Sequence, residues 1–188
     1  MLYHVSNTVG LKTLVPHAST HKTPYVYAVE NRVTGLLFGA RQDDFDFIIS
    51  TDENGKPTVC ECYPDAFEKI YRGKGCSVYA VDDAGFQRGM TAWSEELVSE
   101  AEVKVLQETR IDDLYACLLA EEEQGNLIVR RYEHTAEYRA MVAALVVDRL
   151  IRFGVDLTKC LAQGSRFAVY YRDIVEGLRK LTDGSLLP

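Results

Sequence analysis

The sequence predicts an α+β fold, with a mainly antiparallel sheet in about the first 110 residues and helices after it. Segments at residues 2–6, 24–28, 45–49, 58–63, 76–81 and 102–111 have strand length and strand patterning, separated by Gly, Pro and Asn-Gly signals. After Ile111 the apolar period changes from two to 3.6. The chain has 188 residues, 47% hydrophobic and 26% charged, which suffices for a sizeable core and is an ordinary globular mixture. The expected organisation is therefore an α+β domain over 1–110 and a helical cap or subdomain over 111–188.

In chain order, residues 2–6 alternate so that His4 and Ser6 share a face. The stretch 8–23 reads as a loop in which Leu11 and Leu14 tuck under the sheet and His17 and His21 are exposed. After the strand at 24–28, Glu30-Asn31 offers a helix start for Val33, Leu36, Leu37 and Ala40. Asn54-Gly55 predicts a two-residue hairpin turn between the next two strands. Pro64 fits a first helical position, and Gly73 and Gly75 end that short helix. Asp112-Asp113 opens a helix carrying Leu114, Leu118 and Leu119. Thr135 caps another that Gly154 stops, and residues 166–181 read as a third.

Composition narrows the function classes. A net charge of −7 opposes a surface that grips phosphate backbones along its length. Five scattered cysteines do not form the even framework of a small secreted domain and point to reduced thiols in a cytoplasm. No basic segment followed by an apolar run opens the chain, and no apolar stretch is long enough to span a bilayer, so neither export nor a membrane partner is expected. Cys60-Glu61-Cys62 reads as buried thiols and Asp43-Asp44-Asp46 as a solvated acidic cluster, since neither has partners at metal-site spacing. There is no Gly-rich phosphate loop and no nucleophile elbow.

A strand opening Tyr3-His4-x-Ser6, followed by a strand ending Val26-Tyr27-Ala28, resembles the opening of the ADP-ribosyltransferase fold. The resemblance covers about the first 110 residues and implies a split sheet that holds NAD as substrate. It implies that His4 binds ribose, with Ser6 on the same face, and that Tyr27 stacks on nicotinamide. It further implies a catalytic glutamate at the start of a later strand. Glu96, in Glu96-Leu97-Val98, has that form, with Glu100 and Glu102 as alternatives. His4 and Tyr27 are then expected to point into one cleft, and the acceptor is a protein, a nucleic acid or a small molecule.

Each residue has a plainer reading: a hydrogen-bonded structural His4, a core Tyr27 beside Tyr25, a solvated Glu96, and Trp93 as a core or interface aromatic. The matching alternative function is a non-catalytic module of the same fold that binds a nucleotide or a protein. RNA 2′-phosphotransferase chemistry, which also consumes NAD, relies on a basic site that the acidic balance disfavours.

Overall fold

The structure is a computed structural model and describes residues 1–18, 23–91 and 93–182. His21 lies outside the described residues. The elements are β1 (Leu2–Ser6), β2 (Thr13–Leu14), β3 (Val26–Val29), α1 (Arg32–Leu36), β4 (Phe47–Thr51), β5 (Pro57–Glu61), α2 (Ala66–Tyr71), β6 (Cys76–Val81), β7 (Gln87–Arg88), β8 (Glu96–Ser99) and β9 (Val103–Ile111), continuing with α3 (Leu114–Glu123), β10 (Ile128–Arg130), α4 (Ala136–Arg152), α5 (Leu157–Cys160), α6 (Arg166–Tyr170) and α7 (Arg172–Thr182). The α+β class with an antiparallel sheet is thus present. None of the described helices is long and apolar enough to cross a membrane.

Seven strands form one sheet in the order β2-β9-β6-β1-β3-β8-β7, and every described pairing in it is antiparallel. Its two faces have different occupants. Leu2, Val26, Ala28, Tyr79, Val81 and Leu97 form a buried cluster on one side, joined by Leu14 and Val103. On the other side α1 lies close enough that a Cβ at Gly35 would stand 3.2 Å from Val5 and 3.3 Å from Val29. Asn31 starts α1 by accepting from the Val33 and Thr34 amides, which satisfies two of the helix's orphan N–H groups.

One irregularity in the sheet matters for the site. β6 and β9 pair in register from Cys76 opposite Ile111 to Ala80 opposite Gln107, and then Val81 stands opposite Val105. Leu106 is the extra residue of this bulge and is 56% exposed. Val105 and Glu108, an odd number of residues apart, consequently face the same side.

A second sheet has the order β10-β5-β4. Its β4–β5 connection is not the two-residue turn that Asn54-Gly55 predicted. The Gly55 amide donates to Asp52 and the Asp52 amide to Lys56, so three residues form the loop. Gly55 then occupies the left-handed region at φ 74°, the usual closure of a three-residue hairpin. Asp52 stabilises it by accepting from the Asn54 and Lys56 amides.

The chain separates into two compact units, and the division falls elsewhere than at residue 110. The first comprises Met1–Asp43, Ile49–Val59 and Phe67–Arg130; the second comprises Asp44–Ile48, Cys60–Ala66 and Arg131–Pro188. Helix α3 belongs to the first unit because Leu114 and Leu118 are fully buried there and Leu114 bounds the space around Gly39.

In the second unit the Asp43-Asp44-Asp46 expectation is corrected at Asp46. That carboxylate is fully buried, 2.9 Å from Arg166, and accepts from the Tyr63 hydroxyl at 2.7 Å. A buried charge requires such partners. The helix predicted over 166–181 is two helices, because Tyr171 leaves helical geometry at φ −130°, ψ 16°. Its buried hydroxyl donates to the Phe45 carbonyl.

Candidate functional site

Residues 4, 27 and 96 are far apart in sequence, yet β1, β3 and β8 are consecutive neighbours in the sheet. His4 Nδ1 lies 2.7 Å from the Tyr27 carbonyl oxygen. A carbonyl only accepts, so Nδ1 carries the proton, and in the neutral ring Nε2 keeps a lone pair for a hydroxyl donor. Burial pushes the His4 pKa below its ordinary value; the Tyr27 carbonyl opposes this and the His17 charge reinforces it. The imidazole is therefore neutral at pH 7.

His4 and Ser6 line one cavity of about 650 Å³, together with Thr8, Leu11, Thr13, Leu14, Val15, His17, Ala18 and residues 25–27. That volume lies within the range of small-molecule sites. The Ser6 hydroxyl accepts from the Thr8 amide at 3.1 Å, which leaves its own hydrogen available as a donor. His17 is exposed, as expected, but it is also part of this wall, where it bridges Tyr25 through the main chain.

Tyr27 meets His4 through its carbonyl and not its ring. β3 alternates: Val26 and Ala28 join the buried cluster with Leu2 and Tyr79, so the Tyr27 ring belongs with Val29 on the α1 side. The two side chains thus leave adjacent strands toward opposite faces, unlike the shared orientation expected for them. On the α1 side Tyr27 has a different companion. Val29 stands opposite Glu96 and Tyr27 opposite Val98, so Glu96 lies diagonal to Tyr27 on the same face of the β3–β8 pair. Glu96 begins β8 just after a turn closed by its own amide on the Trp93 carbonyl. Glu100 and Glu102 are exposed in the β8–β9 connection. Register therefore distinguishes the three glutamates, which pattern alone did not.

Two features of the surroundings were missed from sequence. Phe38, 43% exposed after α1, packs on Trp93 with ring centroids 5.2 Å apart. Tyr79 and Glu108 stand in register with His4 across β1, β6 and β9. The bulge at Leu106 hides Glu108's orientation from any reading based on alternation. Among the described residues, no group of three or more His, Cys, Asp or Glu could hold a metal ion. No family model matches the chain, and no curated protein or solved structure matches it significantly.

Proposed function

We propose that the protein is an NAD-consuming ADP-ribosyltransferase. The observation that carries this reading is the β3–β8 register, which sets Glu96 diagonal to Tyr27 on one face of the sheet although the two lie far apart in the chain. In the reaction, the bond between ribose C1′ and the nicotinamide nitrogen breaks and nicotinamide leaves with the bonding electrons. A nucleophilic acceptor atom bonds C1′ and loses its proton. The sugar is cationic at the transition state, so Glu96 acts there by electrostatic stabilisation and by accepting from a ribose hydroxyl. The Tyr27 ring provides a stacking surface on the Glu96 side, while His4, on the opposite face, fixes the Tyr27 main chain through its carbonyl and lines a separate cavity with Ser6. Five free, scattered cysteines support a reducing cytoplasm as its setting.

The test is nicotinamide release from NAD together with calorimetric NAD binding. Glu96→Gln lowers turnover by ~10²–10³-fold while NAD affinity stays within several-fold, because the lost interaction belongs to the transition state. Tyr27→Ala weakens affinity instead. Full turnover in Glu96→Gln excludes that residue and moves the assignment to Glu100 or Glu102.

One observation favours a second reading, a non-catalytic binding module. The cavity wall at His4 includes no Lys or Arg among the described residues, so it suits an uncharged ring better than a pyrophosphate. Wild-type protein that binds a nucleoside but neither binds nor cleaves NAD would establish that alternative.

A further inference from the structure

We propose that Glu108 is a positioning residue of the His4 cavity. One of its carboxylate oxygens fastens the Thr8–Leu11 wall to the sheet and steadies the Tyr79 ring beside His4. This deepens the nucleoside-binding reading of that cavity and rests on it for its functional consequence.

Seven of the cavity's lining residues lie between positions 8 and 18. From Lys12 onward that segment is held by main chain: the Lys12 carbonyl accepts from Val105, and Thr13 and Leu14 pair with Lys104 and Val103. Before Lys12 its hydrogen bonds to the sheet run through three side chains, Ser6 at the Thr8 amide and Glu108 and Tyr79 beyond it. Glu108 Oε1 accepts from the Gly10 amide at 2.9 Å and from the Ser77 hydroxyl at 2.7 Å, and stands 3.2 Å from the Tyr79 hydroxyl. That hydroxyl donates to the Thr8 carbonyl at 2.7 Å and accepts from the Leu11 amide at 3.3 Å.

Gly10 sits at φ 77°, a conformation few other residues adopt, and its amide meets the carboxylate from there. The Ser77 and Tyr79 side chains are fully buried, so their hydroxyls have a fixed acceptor instead of water. The Gly10 amide first and the Ser77 hydroxyl after it hold the Glu108 carboxyl below the usual carboxylate range. On the other flank, the Tyr79 ring lies 6.3 Å from the His4 ring, centroid to centroid. A single carboxylate thus reaches both the wall of the cavity and the ring next to its imidazole.

The test compares Glu108→Ala and Glu108→Gln in the full chain, by amide hydrogen exchange and by calorimetric titration with adenosine. A glutamine oxygen still accepts from Gly10 and Ser77, so Glu108→Gln should rescue most of what Glu108→Ala loses. In Glu108→Ala, exchange at Gly10 and Leu11 rises by about ten-fold or more over that at Leu118 in α3, and the dissociation constant for adenosine rises by about ten-fold. Unchanged exchange at Gly10 and Leu11 overturns the proposal. So does a uniform rise at every amide, which marks a purely global stability role, and so does faster local exchange with unaltered adenosine affinity. If wild-type protein binds no adenosine, the nucleoside reading of the cavity falls, and the exchange comparison still decides whether Glu108 fastens the wall. If Glu108→Ala does not fold, Gly10→Ala disturbs the same junction from the loop side, and normal exchange at Leu11 in that variant overturns the proposal.

Discussion

A neutral histidine that donates to a main-chain carbonyl leaves a signature in the pH dependence of stability. His4 is held below its ordinary pKa chiefly by burial, so between that lowered value and ~6.5 the unfolded chain binds a proton that the folded chain does not. Stability from this group is therefore complete above ~6.5 and is lost as pH falls through the folded-state pKa. Urea midpoints measured from pH 7.5 down to pH 5 should drop further in wild type than in His4→Gln, whose amide can still donate to the Tyr27 carbonyl. Other acids titrate alike in both proteins and cancel in the comparison. Parallel curves would show that folding leaves the imidazole pKa unshifted, whereas a wild-type midpoint that drops less than that of His4→Gln would show a raised pKa and remove its role as a hydroxyl acceptor near neutral pH.

At the scale of elements, local signals read correctly where a single segment contains its own cause. Leu2–Ser6 and Cys76–Val81 have the predicted bounds, and Asn31, Asp113 and Thr135 cap α1, α3 and α4 through their own side chains. What could not be read depends on a partner. The facing of Glu108 needs the bulge opposite β6, the grouping of Tyr27 with Glu96 needs the β3–β8 register, and the break at Tyr171 needs the Phe45 carbonyl.

Element packing also makes a prediction at Gly39, just past α1. A Cβ there would stand 2.8 Å from the Cys76 sulfur, 2.9 Å from a Leu114 methyl and 3.0 Å from the Leu36 carbonyl. The main chain after α1, β6 and α3 meet too closely at this point for a methyl group. Gly39→Ala should destabilise the protein by about 1–3 kcal/mol, the usual cost of overpacking. Thermal unfolding measures it, and an unchanged midpoint would show that the three segments give way at no cost.

The path of the whole chain decides which pieces can fold alone. Helices α4 to α7 belong to a unit that also takes Asp44–Ile48 and Cys60–Ala66 from much earlier in the sequence. Those short pieces supply what the helices need. The Tyr171 hydroxyl donates to the Phe45 carbonyl, the Tyr138 hydroxyl to the Glu61 carbonyl, and Arg166 pairs with buried Asp46. Tyr170 stacks on Tyr63 with centroids 4.2 Å apart. A fragment of residues 131–188 keeps every helix of the unit and loses all of these partners. The longest of its helices, α4, has 17 residues, and a helix in a protein draws most of its stability from packing its apolar face rather than from propensity. The fragment should therefore show weak helical circular dichroism and no cooperative thermal transition. Joining residues 44–66 to it through a flexible linker should restore both. A sharp thermal transition in the 131–188 fragment alone would mean that the helices make their own core, and that the early segments only decorate it.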